Sequence, residues 1–338
     1  MTPRRIVKDP TWRIVVGDSV AALRNMSDDS VHCIVTSPPY WNLRDYGVED
    51  QIGLEATPEL YVERLVTVFA EARRVLRDDG TLWLNIGDSY AGSWGAQSRG
   101  GPPSCKSTLR GNGHVGGGPK IRSLAAAQIE AAPRRDSHTG SWVNQHPVLK
   151  PKDLVGIPWR LAFALQADGW YLRSDIIWHK PNPLPESVRD RPTKSHEYVF
   201  LLTKTARYSF DDRAIAEPAT GRPSGNTKPN KGFTEDPTRF RCRAGLQDYA
   251  ARETRRPRTV WTIATQPFKG AHFAVFPEDL ARRCILAGCP SGGVVLDPFC
   301  GSGTAGVAAL TTGRGFVGID ANPDYVEMAR RRISACVV

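Results

Sequence analysis

Apolar and polar positions follow two different periods in the first part of the chain. The run Val31–Thr36 is almost entirely apolar, which is typical of a strand buried in a parallel sheet. After Thr57 and Pro58 the apolar residues recur at helical spacing, with Thr57 as the predicted N-cap and Pro58 in the first turn. We expect this helix to end at residues 78–80, Asp-Asp-Gly. Two further strands are predicted at 14–16 and 81–87, and a further helix at 20–26.

The second half of the chain repeats this alternation of strands and helices. A helix is predicted at 152–166, followed by strands at 170–180 and 197–203. Strands that alternate with helices are typical of an α/β fold with a mostly parallel, doubly wound sheet. The last elements follow the same order, with a strand at 294–296, a helix at 304–310, a strand at 315–319 and a helix at 323–333.

Two polar segments interrupt the pattern. Residues 89–150 are rich in glycine, serine, proline and basic residues, so they cannot bury much apolar surface, and we expect a mobile insertion with one short helix at 121–131. Such an insertion either becomes ordered on nucleic acid or serves as a solvated linker. Residues 207–265 are also polar and basic.

Charge and cysteine content narrow the class of protein. Lysine and arginine total 45 against 35 acidic residues, a net charge of +10, which favours a polyanionic partner without proving one. The seven cysteines are odd in number and include no CxxC pair, so we expect neither a disulfide framework nor a zinc or other metal site. The first residues lack the apolar run of a signal peptide, and no window is long and apolar enough to span a membrane. A cytoplasmic protein is expected.

The first candidate site is the sequence DPFCGSGT, residues 297–304, which follows a predicted strand and opens a helix. Gly301 and Gly303 permit a tight turn that a ligand can approach closely. The next strand ends at Asp320, where a carboxylate suits hydrogen bonds to ribose hydroxyls. The turn has neither the lysine of a P-loop nor full GxGxxG spacing. It therefore predicts a site for a cofactor that carries a nucleoside.

The second candidate site comprises Thr36 and the sequence SPPY, residues 37–40, at the end of the predicted strand Val31–Thr36. Pro38 and Pro39 have no backbone donors, so nearby carbonyls stay free to accept hydrogen bonds. The hydroxyl of Ser37 can also accept, and Tyr40 offers a flat face for stacking. Acceptors beside an aromatic ring suit an amino group on a planar heterocycle. The alternative is an ordinary Pro-Pro turn.

Together, SPPY and DPFCGSGT resemble the motifs of the DNA methyltransferases that act on exocyclic amino groups. Their order, with SPPY first and a polar region between the motifs, resembles the circularly permuted β group of that family. The resemblance implies a Rossmann-like S-adenosylmethionine-dependent methyltransferase fold with a seven-stranded, mostly parallel sheet that has one reversed strand. It covers most of the chain outside residues 89–150 and 207–265.

The resemblance also implies a role for individual residues. The catalytic residues would be Ser37, Pro38, Pro39 and Tyr40, and the cofactor would be S-adenosyl-L-methionine. Asp18 would lie near the adenine of the cofactor, Phe276 near its methionine part and Asp320 on its ribose. The residues of the glycine turn would complete the site: Asp297, Pro298, Phe299, Gly301, Gly303 and Thr304. The segment from Trp178 to Phe210, with Lys180 and Glu197, resembles strands that line the base pocket.

In domain terms, residues 1–88, 151–206 and 266–338 would form the catalytic domain, residues 89–150 the insertion and residues 207–265 the target recognition region. The expected function is methylation of a base flipped out of double-stranded DNA. Ser37 favours cytosine N4, because relatives with aspartate there mostly methylate adenine N6, which is the alternative. Methylation of RNA or of a protein amide fits the order of the two motifs less well. A DNA-binding relative without activity fits less well because both motifs are intact. A homodimer and a cognate restriction endonuclease are further expected partners.

Overall fold

The computed structural model describes residues 12–43, 48, 50–91, 146, 148–219, 254–266 and 276–336. In chain order the strands are β1 (Trp12–Val16), β2 (Val31–Thr36), β3 (Leu76–Ile86), β4 (Tyr171–His179), β5 (His196–Thr203), β6 (Glu217–Pro218), β7 (Thr254–Arg255), β8 (Val260–Thr262), β9 (Val294–Asp297) and β10 (Gly315–Asp320). The helices are α1 (Ser19–Arg24), α2 (Pro58–Val75), α3 (Ile157–Ala167), α4 (Glu278–Gly288), α5 (Thr304–Thr311) and α6 (Pro323–Ser334).

Eight strands form the central sheet, in the order β1-β10-β9-β2-β3-β5-β4-β8. Strand β5 is antiparallel to both of its neighbours, and every other pairing is parallel. The predicted α/β class and the single reversed strand are therefore confirmed. The predicted count of seven strands is wrong, because β8 adds an eighth at one edge. Its three residues contain only one buried side chain, Trp261, which is too short a pattern to predict a strand.

Helices cover both faces of the sheet, which explains the continuous apolar runs of its strands. Successive side chains of a strand point to opposite faces, so Ile34 of β2 packs with α2 and α3, whereas Cys33 and Val35 pack with α4 and α5. Strand β3 divides in the same way, with Leu84 on the first face and Trp83 on the second. The two resulting apolar cores hold the sheet rigid, and the ligand-binding edge is built on it.

Three predicted boundaries are wrong for identifiable reasons: the end of α2, which lies at Val75 rather than at residues 78–80, the start of β3 and the start of α3. Strand β3 begins at Leu76 rather than at residue 81, because Leu76 already pairs with Val31 and an irregularity in the register absorbs the Asp-Asp-Gly sequence. Helix α3 begins at Ile157 rather than at residue 152. Its N-cap, Gly156, has a left-handed φ of 78°, and the backbone N–H groups of Gly156 and Ile157 donate to Oδ1 of Asp88, both at 3.0 Å. A carboxylate from the segment that follows β3, far away in the sequence, therefore caps this helix.

The predicted helix at 121–131 lies outside the described residues. Within the ranges given above, no helix is both long enough and apolar enough to cross a membrane.

Packing of α4 on the sheet depends on the missing side chain of Gly288. A Cβ there would lie 2.2 Å from Oγ1 of Thr81 and 2.3 Å from Nε1 of Trp83. We expect Gly288→Ala to lower the free energy of unfolding by about 3 kcal/mol, because neither buried neighbour can retreat. Chemical denaturation measures this difference. The exposed Arg282→Ala on the same helix should change stability by less than about 0.5 kcal/mol, and equal losses in both variants would contradict the packing argument.

Candidate active site

The two predicted site turns lie side by side. Strands β2 and β9 are parallel neighbours, with Ile34 opposite Leu296, so both strands end at the same edge of the sheet. Beyond this pairing, Oγ1 of Thr36 donates a buried hydrogen bond to Oδ1 of Asp297 at 2.6 Å. Ser37 follows the first of these residues and Pro298 the second. The turns that are far apart in the sequence therefore share one site.

The glycine turn wraps around the end of β10. Gly301 and Gly303 both have left-handed φ angles, 50° and 81°, and the backbone N–H of Gly301 donates to Oδ2 of Asp320 at 2.7 Å. The other carboxylate oxygen of Asp320 accepts from the N–H of Asn322 at 2.9 Å. A Cβ at Gly303 would approach Cβ of Ala329 on α6 to 2.9 Å. Asp320 thus shapes the turn, and burial raises its pKa above the ordinary value.

Asp297 is the most deeply buried carboxyl group of the site, with 1% of its surface exposed. Its Oδ1 accepts from Thr36 and from the N–H of Phe299, at 3.0 Å, whereas the buried Oδ2 has no hydrogen-bond partner among the described residues. Burial raises its pKa to about 7, although the bonds from Thr36 and Phe299 oppose the shift. This oxygen can therefore accept a hydrogen bond from a ligand or face a cationic group.

Neighbouring strand ends bring the remaining predicted cofactor residues to the same edge. Asp18 is exposed at the end of β1, where its Oδ1 caps α1 through the N–H of Ala21 at 2.8 Å. The N–H of Gly17 donates to the carbonyl of Asp320 at 2.9 Å. Ser19 Oγ donates to the carbonyl of Pro298 at 2.7 Å, which ties α1 to the glycine turn. Four adjacent strands, β1, β10, β9 and β2, thus contribute to one continuous edge.

The other predicted cofactor residues differ in exposure. Phe299 is half-buried, with its ring edge-on to Phe69 at a centroid distance of 6.5 Å. Thr304 is buried, and its Oγ1 accepts from Arg332 at 3.3 Å. Phe276 is half-buried against the core on the α4 side, and residues 272–275 of the same sequence element lie outside the described residues. Thr304 thus has a structural contact, while Phe299 and Phe276 keep part of their surface free.

Tyr40 links the SPPY turn to the reversed strand β5. Its hydroxyl donates to Oε2 of Glu197 at 2.5 Å, and Oγ of Ser37 lies 3.5 Å from the same hydroxyl. Burial, followed by the charge of Glu197, raises the pKa of Tyr40 well above the ordinary value. The phenol therefore stays protonated and keeps its donor role at neutral pH.

Contacts on the backbone and ring of this turn hold its shape. The carbonyl of Pro39 accepts from the hydroxyl of Tyr61 at 2.8 Å, so this carbonyl is already engaged. A Cβ at Gly87 would lie 2.7 Å from Cε2 of Tyr40, so the absence of a side chain at Gly87 makes room for the ring. The ring of Tyr40 is thus packed at one point and fixed at its hydroxyl.

Sequence reasoning did not single out Asn85 and Gly87 as site residues, and it placed Thr36 in the second candidate site without assigning it a partner. Asn85 donates from Nδ2 to Glu197 and to the carbonyl of Tyr198, both at 3.1 Å. A signal for Asn85 was present, since it is an amide within the apolar run Leu82–Ile86 of a predicted strand. The partner of Thr36 could not be predicted, because it is 261 positions away in the sequence.

Comparison with known proteins shows the family to which the chain belongs. The model of a family described as DNA methylase matches residues 31–331. Type II methyltransferase M.Cfr9I of Citrobacter freundii is 47% identical over 318 residues, covering 94% of this chain and 86% of that protein. Type II methyltransferase M.SmaI of Serratia marcescens is 44% identical over 325 residues, covering 95% of this chain and 90% of that protein. The chain belongs to the DNA methylase family and is therefore an enzyme that modifies DNA.

Solved structures share the fold at lower identity. The PvuII DNA methyltransferase, named as cytosine-N4-specific, superposes with a TM-score of 0.59 at 16% identity, covering 98% of this chain and 94% of that chain. A modification methylase homologue from Thermus thermophilus, solved as a complex with S-adenosyl-L-methionine, superposes with a TM-score of 0.54 at 22% identity, covering 97% and 95% of the two chains. At this identity the likeness concerns the fold.

The raised pKa of Asp297 has a measurable consequence for stability. In the unfolded chain an aspartate titrates near pH 4, and in the folded protein near 7, so the folded state binds an additional proton between these values. The free energy of unfolding should therefore fall as the pH rises from about 4 to about 7, by at most about 4 kcal/mol from this group. Asp297→Asn removes this contribution, so the free energy of unfolding of the variant relative to the wild type should increase as the pH rises from about 4 to about 7.

Urea denaturation at several pH values measures the difference. The exposed Asp168→Asn serves as the control and should run parallel to the wild type. A constant difference between the wild type and Asp297→Asn from pH 4 to 7 would show that Asp297 is not held in a desolvated state.

Proposed function

We propose that this enzyme transfers a methyl group from S-adenosyl-L-methionine to the exocyclic amino group of a base flipped out of double-stranded DNA, with cytosine N4 as the target. One observation carries the proposal: the Thr36–Asp297 hydrogen bond joins a turn suited to a planar amino-bearing base to a turn suited to a nucleoside cofactor. Donor and acceptor would then meet at the shared edge of β2 and β9.

The residues at this edge fit the cofactor. Oδ2 of Asp297 is buried without a partner among the described residues, and an ammonium or sulfonium group nearby would supply the missing positive charge. Asp320 and the Gly301 turn offer a carboxylate and an approachable backbone. When bound, the cofactor supplies an electrophilic methyl group on sulfur. The other residues proposed to hold it are Asp18, Phe276, Pro298, Phe299, Gly303 and Thr304.

The proposed chemistry depends on positioning the target base. The ring of Tyr40 stacks on the flipped base, and Ser37 Oγ and the Pro38 carbonyl accept hydrogen bonds from its amino group. The Pro39 carbonyl is already occupied by Tyr61. These bonds would orient the nitrogen lone pair towards the methyl group that a bound cofactor would supply, and the proton that the nitrogen gives up on methylation would pass to water.

No enzyme nucleophile is required for this reaction. Cys300, the cysteine of the glycine turn, is buried, and burial raises the pKa of its thiol well above the ordinary value. A protonated, inaccessible thiol is a poor nucleophile. The role of Cys300 is therefore packing. It lies close to Gly318, where an added Cβ would be 2.7 Å from Sγ of Cys300.

The choice of cytosine rests on Ser37, the first residue of the SPPY motif. Adenine N6 is the alternative target. Mass spectrometry of nucleosides from DNA methylated by the purified enzyme should show N4-methylcytosine. N6-methyladenine as the product would overturn the choice of base and leave the rest of the proposal standing, whereas no methylated nucleoside at all would overturn the proposal itself.

Residues 207–265 are proposed to recognise the target sequence, and the described ends of this segment are held together. Strands β6 and β7 pair Glu217 with Arg255. The Glu217 carboxylate also meets Arg258 at 2.8 Å and Arg283 of α4 at 3.4 Å. The described ends of the segment, residues 207–219 and 254–265, are therefore held together on the fold. The insertion at residues 89–150 stays a prediction, either as a segment that becomes ordered on nucleic acid or as a solvated linker.

Proposed partners follow from the relatives. The relatives are named Type II methyltransferases. These names support the proposal that a restriction endonuclease of the same sequence specificity accompanies this enzyme. The homodimer stays a prediction.

If Tyr40 stacks on the base, two substitutions at this position should differ in their rate of methyl transfer. Tyr40→Phe keeps the ring, whereas Tyr40→Ala removes it, and stacking of a base on an aromatic side chain contributes about 1–3 kcal/mol. We expect the single-turnover rate of methyl transfer for Tyr40→Ala to be at least about 10-fold below that of Tyr40→Phe. Rapid quench with labelled cofactor measures both rates. Equal rates in the two variants would mean that the ring does not hold the base.

A further inference from the structure

We propose that Glu197 is a positioning residue that holds Tyr40 of the SPPY turn in place, and that the reversed strand β5 brings Glu197 to the site. This inference rests on the proposed function, because it assigns a means of holding the residue on which the target base stacks.

Strand direction explains why Glu197 is at the site. Parallel strands bring their last residues to the carboxyl edge of the sheet, so β2 and β3 end there at Thr36 and Ile86. Strand β5 runs the opposite way between β3 and β4, so its first residues, His196 and Glu197, reach that same edge. Only an antiparallel strand can place its beginning among the ends of its neighbours.

Three side chains converge on the two carboxylate oxygens of Glu197. Oε2 accepts from the Tyr40 hydroxyl at 2.5 Å and from Asn85 Nδ2 at 3.1 Å. Oε1 accepts from Nζ of Lys180. The side chains of Glu197 and Lys180 are only 15% and 20% exposed, so this ion pair is screened less than a surface pair.

The partners of Glu197 are themselves held. Nδ2 of Asn85 also donates to the Tyr198 carbonyl at 3.1 Å, and the Lys180 ammonium lies 4.4 Å from the ring centroid of Trp178. Charge-assisted hydrogen bonds to a carboxylate fixed on both oxygens are strong and directional. The hydroxyl of Tyr40 is therefore held at one defined place, which fixes the long axis of the ring, and the close approach of Gly87 limits rotation of the ring plane about that axis.

This arrangement separates two tasks within one side chain. In the proposed function one face of the Tyr40 ring stacks on the base, while its hydroxyl is bonded to Glu197 and takes no part in the transfer. Glu197 thus acts on the reaction through Tyr40 and does not need to touch the base, the cofactor or the reacting atoms.

A double-mutant cycle tests the assignment. The single-turnover rate of methyl transfer is measured for the wild type, Tyr40→Phe, Glu197→Gln and the double variant. We expect each single substitution to lower the rate by about 10-fold, because each removes the same charge-assisted bond, and the double variant to fall no further than about threefold below either single variant. The exposed Glu327→Gln on α6 is the matched control and should keep the wild-type rate. Losses that multiply in the double variant would overturn the proposal, since Glu197 would then act independently of Tyr40.

A second measurement does not depend on activity. The protein is labelled with ¹³C at Cζ of its tyrosines, and the resonance of Tyr40 is the one that is absent in Tyr40→Phe. At neutral pH this resonance reports the hydrogen bond of the Tyr40 hydroxyl. It should move in Glu197→Gln and stay in place in Glu327→Gln. An unchanged resonance in Glu197→Gln would also overturn the proposal. If the wild type did not methylate DNA, the proposed function would fail, and this resonance would still decide whether Glu197 holds Tyr40.

Discussion

The hydrogen bond from Thr36 to Asp297 expresses the constraint on which the site depends. Because β2 and β9 are parallel neighbours, their ends coincide in space although they lie at opposite ends of the sequence. The bond is buried and closes the gap just beyond the last backbone pairing, so the two turns that follow cannot drift apart. Every later step, from the shape of the glycine turn to the direction of Tyr40, starts from this fixed pair of strand ends.

Electrostatics at this edge depends on burial more than on the net charge of +10. Asp297 and Asp320 lie among apolar strands and an adjacent glycine turn, and burial raises the pKa of both. Oδ2 of Asp297 is left without a partner among the described residues. On the other side of β2, Glu197 is matched by Lys180, which makes that part of the edge close to neutral. A cationic cofactor and a neutral base would therefore meet environments of different charge within one edge.

Much of the fold was readable from local patterns. The apolar run Val31–Thr36 and the cap at Thr57 and Pro58 predicted β2 and the start of α2 correctly, because burial on both faces and helix capping leave local signals. Boundaries set by distant partners were not readable. Helix α3 begins where Asp88 caps it, and β8 pairs with β4 although its three residues carry no strand pattern.

The sequence by itself determined the chemical character of the two turns, since proline fixes the backbone, glycine permits left-handed turns and serine supplies a hydroxyl wherever they stand. It also determined the α/β class through hydrophobic periodicity. Only the tertiary structure decided which strand ends are neighbours, that β5 brings Glu197 to Tyr40, and that Thr36 bonds to Asp297. The physical reason is that periodicity records whether a side chain is buried, whereas pairing between strands depends on contacts between residues far apart in the chain, and no local pattern records them.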